Sequence, residues 1–253
     1  MTFRKPPFFN MKSSQAKPFL TIVIPAHNET HRLPATLKEV ARYAKTQKYH
    51  TEILIVENAS TDGTYDLAMK MCKDIIQARV LQEPIKGKGQ AVKRGMLAAR
   101  GEYCLIFDAD LAMPVKEIPK FIPPMLTNCD IAIASREVSG AKRCNEPLYR
   151  HLIGRVFNFL VRVLVLPGLQ DTQCGYKCFS SRVIKPLFNR QIMTGWAFDV
   201  ELLAIARQLG YSIKEVPIEW HYGPHSRVSI FVDAPRMFAD LLKIRSNLRK
   251  GIY

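Results

Sequence analysis

The 253-residue chain has no apolar run long enough to cross a bilayer: its longest, at 156–166 and 129–134, are interrupted by Arg162 or end too soon. Residues 1–18 mix Arg4, Lys5, Lys12 and Lys17 with prolines and contain no apolar core segment. They read as a tail preceding the fold and not as a cleaved secretory signal. The six cysteines, Cys72, Cys104, Cys129, Cys144, Cys174 and Cys178, form no CxxC pair. That spacing argues against a zinc site or a disulfide framework and fits a reducing cytoplasm. No loop ends in GKS or GKT with Walker A glycine spacing, so ATP hydrolysis is not expected.

What is abundant is positive charge. Against 37 Lys and Arg stand 22 Asp and Glu, a formal net charge of +15, which calls for a polyanionic partner. Nucleic acid, nucleotide phosphates and anionic lipid headgroups all qualify on charge alone, and part of the excess can serve solubility.

Short β-rich runs at 20–24, 52–56, 79–82, 103–107 and 130–134 alternate with segments of helical periodicity at 33–45, 64–72, 89–99 and 116–125. The alternation predicts an α/β fold, a mostly parallel sheet flanked by helices. Ligands of such sheets sit beyond the carboxyl ends of the strands. After the first run comes Pro25-Ala26-His27-Asn28-Glu29, and after the second Glu57-Asn58-Ala59-Ser60-Thr61-Asp62-Gly63-Thr64. Ser60 or Asp62 can simply cap the next helix, but the two loops together favour a nucleoside pocket in which Glu57, Asn28 and Glu29 meet base or ribose. Lys86-Gly87-Lys88-Gly89 opens a helix, and its glycines allow backbone amides to approach a ligand closely. Its lysines face either a nucleotide or solvent.

The fourth run ends in Leu105-Ile106-Phe107-Asp108-Ala109-Asp110. Side chains alternate along an extended strand, so Asp108 and Asp110 are expected to point the same way and share a divalent ion, Mg2+ or Mn2+. Such an ion neutralises the charge that develops on a departing diphosphate. A helix cap accounts for Asp110 but gives Asp108 no purpose.

In order, PAHNE, VENASTDGT, KGKG, FDAD, SRE, DTQCGYK and WAFDVE resemble the family 2 glycosyltransferases of GT-A fold, from about residue 19 to 244. The branch most resembled loads a hexose onto dolichyl or another polyprenyl phosphate. KGKG, DTQCGYK, WAFDVE and VPIEWH look closer to its dolichyl-phosphate β-glucosyltransferases than to its mannosyltransferases. The resemblance implies that Pro25, Ala26, Asn28, Glu29 and Glu57 line the nucleoside pocket with Lys88 at its edge, and that Asp108, Ala109 and Asp110 hold metal and diphosphate. It places Ser135 and Arg136 at the sugar or acceptor phosphate and Asp171, Thr172 and Gln173 on the acceptor side. Trp196, Asp199 and Glu201 would close the sugar site, and Arg227 would meet phosphate. The implied donor is a nucleotide diphosphate sugar, with UDP-glucose favoured over GDP-mannose. The implied acceptor is a polyprenyl phosphate at an anionic membrane surface, on the cytoplasmic face; nucleic acid is not an expected partner.

Mannosyl-type relatives commonly place a glutamine metal ligand where this chain has Ala112, which counts against GDP-mannose. The Q-x-x-R-W signature of processive synthases is absent. Membrane contact is expected to be peripheral, through helices at 147–166 and 233–249. In the first, His151, Arg155, Asn158 and Arg162 form one narrow polar stripe beside Leu152, Ile153, Val156, Phe157, Phe159, Leu160 and Val163. Packing on the domain or against a second copy, as a homodimer, are the other ways to cover these faces. The chain thus divides into a tail (1–18), a catalytic domain (19–232) and a basic amphipathic helix (233–253). The expected reaction is an in-line displacement with inversion. A lipid phosphate is already an anion and needs no strong base; Asp171 is the best base candidate for a hydroxyl acceptor. A nucleotidyltransferase would carry a glycine-rich loop where PAHNE stands. A non-catalytic protein bound to nucleotide or anionic lipid would have no use for paired aspartates.

Overall fold

The computed structural model describes residues 17–223 and 230–253. Its centre is a seven-stranded sheet whose chain-order strands are β1 (Leu20–Ala26), β2 (Thr51–Asn58), β3 (Ala78–Glu83), β4 (Tyr103–Ile106), β5 (Ile131–Ser135), β7 (Lys177–Ser180) and β8 (Ile213–Pro217). They lie side by side as β3-β2-β1-β4-β7-β5-β8. All share one direction except β7, which runs antiparallel to both β4 and β5. A separate two-stranded ribbon joins β6 (Lys142–Cys144) to β9 (Glu219–His221).

The apolar runs are nearly continuous because both faces of the sheet are covered. Along β1 and β2 the period of two sorts the side chains. Ile22, Ile24, Ile53 and Ile55 join one core layer, and Val23, Leu54 and Val56 join the other. On the first layer lies α1 (Leu33–Thr46), whose Leu33, Leu37, Val40 and Ala44 recur at helical spacing and are buried. Beside it runs α2 (Thr64–Cys72). The other layer receives α3 (Lys88–Ala98), α5 (Ser181–Phe188) and α6 (Phe198–Gln208).

The segment expected as a helix over 116–125 is instead a 3₁₀ turn at Val115–Phe121, with Pro119 inside it. Proline lacks the donor an α-helix needs and clashes with the preceding turn, and Pro123 and Pro124 follow at once.

Two further helices behave differently. In α4 (Leu148–Leu164) the buried residues are Asn158 and Val161, while Leu152, Val156, Phe159 and Val163 are each more than half exposed. Phe157, Leu160 and Leu164 pack against the core beside them, so α4 is apolar on both its inner and its outer side. The last helix, α7 (Ile230–Arg249), begins three residues before the expected 233. Its Leu241 and Ile244 are fully buried in the core, so on that side it packs into the domain; Phe238 and Leu242 are exposed. Among the described residues no helix is long and apolar enough to cross a membrane.

Candidate active site

Loops leaving β1, β2 and β4 at their carboxyl ends meet the DTQCGYK segment, the start of α6 and the inner side of α4 around one cavity of about 670 Å³. Pro25, Ala26 and Glu29 form part of its wall. Asn28 and Glu57 stand behind that wall and hold the loops together. Asn28, at φ 51°, donates its N–H to Ser60 Oγ (3.0 Å) and accepts from Thr61 N–H at 2.8 Å. Glu57 is buried and accepts from Ser60 N–H at 2.6 Å. The neighbouring Asn58 does reach the cavity, and its amide clamps the next loop by donating to Glu83 and Ile85 carbonyls and accepting from Gly87 N–H.

That next loop carries KGKG, and its glycines do a different job from the one expected. A Cβ on Gly87 or Gly89 would lie 2.4 or 2.7 Å from the carbonyl oxygens of Thr194 or Met193. Gly89 N–H is bonded to Thr194 O at 2.8 Å. The glycines let the loop press against the strap before α6, and Lys88 lines the cavity together with Lys86 and Gly87. Its ammonium lies 2.7 Å from Asp108 Oδ1 and 5.4 Å from the centre of the Trp196 ring. Burial alone would lower the Lys88 pKa, but Asp108, Asp199 and Asp110 outweigh it and hold the pKa above the ordinary value.

Strand β4 stops at Ile106, one residue before the expected end. The two aspartates follow on a turn in which Leu111 takes φ 55°, and both line the cavity with Ala109 between them. Asp108 is seated against Gly175, where a Cβ would fall 2.1 Å from its Oδ2, so only glycine fits there. Asp110 Oδ1 accepts from Ala112 N–H (3.0 Å) and Tyr176 Oη–H (3.1 Å). Burial, and then the negative Asp108, push the Asp110 carboxyl above the usual carboxylate range.

A divalent cation would relieve this strain. Among the described residues no three or more His, Cys, Asp or Glu side chains are grouped so that they could hold a metal ion by themselves. Two converging carboxylates, however, are a common protein share for Mg2+ or Mn2+, which take their remaining oxygens from phosphate and water. The donor set fits such an ion.

Deeper in, Asp199 is buried on the cavity wall with Lys177 Nζ 2.7 Å from its Oδ1. Lys177 is fully enclosed and also donates to Cys174 O. Burial raises the Asp199 pKa despite Lys177 and Lys88. Glu201, expected beside it, is instead turned into the core, where it accepts from the Ile192 and Met193 N–H groups.

On the other side, Arg136 lines the cavity and lies 5.2 Å from the centre of the Trp220 ring. Its guanidinium grips Asp171 in a two-pronged ion pair of 2.7 and 3.0 Å, and its N–H also donates to Asp171. Asp171 is fully buried and accepts further N–H bonds from Gln173 and Cys174. Burial alone would raise its pKa, but Arg136 first among its partners brings it down to about 2. A carboxylate so placed holds Arg136 and is a poor proton acceptor, which removes Asp171 from the role of base. Ser135 and Thr172 are likewise buried behind the wall, while Gln173 reaches it. Arg227 lies outside the described residues.

Sequence reasoning missed Arg32, which lines the cavity and binds Glu29 with two contacts of 2.6 Å. It also missed Arg150, which lies 5.4 Å from the Tyr222 ring, and an apolar wall made by Ile153, Phe157 and Met237. Trp220 was within reach, since it sits in the VPIEWH segment.

Comparison with known proteins agrees with this architecture. The chain matches the model for Glycosyl transferase family 2 over residues 21–188. The dolichyl-phosphate beta-glucosyltransferase of Saccharomyces cerevisiae is 33% identical, over 98% of this chain and 80% of its own length. The Homo sapiens protein of the same description is 32% identical, over 92% and 77%. Among solved structures, glucosyl-3-phosphoglycerate synthase from Mycobacterium tuberculosis, in complex with Mn2+, UDP and phosphoglyceric acid, superposes with a TM-score of 0.66. That likeness covers 98% of this chain and 84% of the other, at 18% identity, and shows the shared GT-A fold. A family match across most of the chain, with relatives of this identity along nearly all of it, makes the chain a glycosyltransferase that belongs to family 2, in the branch of the dolichyl-phosphate β-glucosyltransferases.

Proposed function

We propose that the chain transfers glucose from UDP-glucose to the phosphate of a dolichyl or similar polyprenyl phosphate, with inversion, at a membrane surface. The relatives named above are described as dolichyl-phosphate beta-glucosyltransferases, and a neighbour of the same fold has been crystallised with Mn2+ and UDP-glucose. The observation that carries the reading is the composition of one cavity wall. Paired aspartates, two arginines on aromatic rings and an apolar flank from α4 and α7 all border the same space. A nucleotide sugar needs the first of these, and a lipid phosphate needs the other two.

Pro25, Ala26 and Asn58 border the nucleoside, Lys88 faces the diphosphate, and Trp196 and Asp199 meet the hexose. Arg136 and Arg150 hold the acceptor phosphate, with Ile153, Phe157 and Met237 against the first isoprene units. Mg2+ or Mn2+ held by Asp108 and Asp110 would supply positive charge to the departing diphosphate. The acceptor oxygen is an anion at neutral pH and attacks without prior loss of a proton. The task of the protein is therefore to bring two anions together and fix them in line. Arg136 suits this, because Asp171 locks its orientation. The exposed stripe of α4 would rest in the membrane interface, bringing the apolar flank of the cavity to the level of the lipid.

The test is to incubate the protein with radiolabelled UDP-glucose or GDP-mannose, short-chain polyprenyl phosphates and Mn2+, and to extract into organic solvent. Label from UDP-glucose is expected in the organic phase. Label from GDP-mannose instead, or label transferred only to water-soluble acceptors, overturns the reading.

A further inference from the structure

Arg143, on β6, does not itself line the cavity, yet it touches three pieces of the acceptor wall. One guanidinium nitrogen donates to Glu137, in the loop that carries Arg136, and the other terminal nitrogen donates to Glu146, at the entrance to α4. Its Nε donates to the backbone oxygen of Arg136 itself at 3.3 Å. Through the ribbon, Arg143 is also the register partner of Trp220, the ring beside the Arg136 guanidinium. From Glu137 and Glu146 the network continues into α4 through Arg155, at 2.9 Å, and His151, at 3.3 Å. Arg150 stands on the same helix and lines the wall. Arg143 is 17% exposed, and the carboxylates of Glu137 and Glu146 only 7% and 10%.

We infer that Arg143 is a positioning residue for the acceptor phosphate: it fixes the loop of Arg136 and the helix of Arg150 at one separation. The inference rests on the reading that these two arginines take that phosphate. A planar guanidinium presents its donors in a rigid fork and can hold two carboxylates and a carbonyl in one arrangement. An ammonium cannot reproduce that fork. Without the cation, two nearly buried carboxylates would be left close to each other, and like charges drive such elements apart. None of these contacts reaches the Asp108 and Asp110 corner, so donor binding should be indifferent to them.

The test compares Arg143→Lys, Arg143→Met and the milder Glu137→Gln, each checked for folding by thermal unfolding. KM for a short-chain polyprenyl phosphate is measured beside UDP binding in Mn2+ by titration calorimetry. Both Arg143 variants are expected to raise the acceptor KM by about tenfold or more, Lys less than Met, with UDP affinity held within about twofold. Glu137→Gln should raise the acceptor KM by about threefold, which keeps the claim testable should an Arg143 variant fail to fold. An unchanged acceptor KM in a folded variant, or UDP affinity falling in step with it, overturns the inference. Arg136→Lys run in parallel separates the two claims. If it raises the acceptor KM while the Arg143 variants do not, the positioning role alone is wrong. If it too leaves KM unchanged, the assignment of the acceptor phosphate falls with it.

Discussion

Asp110 and Asp171 are both aspartates near the carboxyl ends of the strands, and they have opposite surroundings. Asp171 faces a guanidinium that returns two hydrogen bonds, and its pKa is brought down to about 2. Asp110 has another carboxylate as its neighbour, and its pKa is raised. The first carboxylate is complete without any ligand. The second is costly to keep ionised until a cation arrives, which is the usual condition of a binding site. One residue type therefore does two jobs, and the sign of the neighbouring charge tells them apart.

The sharpest way to break this comparison is substitution by asparagine. Asp110→Asn or Asp108→Asn should lower transfer by about a thousandfold or more, measured by organic extraction of labelled lipid. Asp110→Asn should at the same time raise the melting temperature, because it removes a charge that the neighbouring Asp108 repels. Asp171→Asn should do the reverse. It leaves Arg136 uncompensated in a buried site and should cost about 3–5 kcal/mol in denaturant unfolding. If both asparagine variants are destabilised alike, the distinction fails.

Acid extends the comparison. The Asp171 pKa is lower in the folded state than in the unfolded chain, so its stabilisation is full above the ordinary value of 3.8 and is lost as pH falls through about 2. The Asp110 pKa is raised, so its folded state gains protons first as pH falls, and this eases folding while removing a metal ligand. Binding of UDP with Mn2+ should accordingly fade at a higher pH than the fold does. Simultaneous loss of the two, followed by calorimetry and circular dichroism, would contradict the assignment.

The smallest effect is expected on the outer face of α4. Replacing Leu152 and Phe159 by serine should weaken cosedimentation with anionic vesicles by about tenfold and leave activity on a short, soluble acceptor within about twofold. Unchanged vesicle binding would remove the membrane from the account of that helix, leaving a second copy of the chain as its cover.

The same two corners show what a sequence can and cannot disclose. The acidic corner is local: one strand end carries Asp108 and Asp110, and the apolar alternation before them is visible in LIFDAD. Strand positions were legible for the same reason, with β1, β2, β3, β4 and β5 falling within two residues of the expected runs. The Arg136 corner is assembled from distant parts. Asp171 is 35 positions from Arg136, and nothing in SRE or DTQ says that they face each other. Strands β6 and β9 are three residues each, too short for any periodicity to register. The antiparallel β7 is a four-residue KCFS that contains a lysine, and that lysine is fully buried against Asp199, which no hydrophobic pattern could announce. The KGKG glycines were visible, but the Thr194 and Met193 carbonyls that require them lie about a hundred residues away.

The central claim is that Asp108 and Asp110 bind a divalent ion together with the donor diphosphate. Titration of Mn2+ followed by electron paramagnetic resonance, with and without UDP-glucose, tests it directly. The account predicts weak binding of the ion alone, because Lys88 occupies Asp108, and much tighter binding once UDP-glucose is present; both are lost in Asp110→Asn. Tight binding that persists in Asp110→Asn, or that ignores the nucleotide sugar, would contradict it.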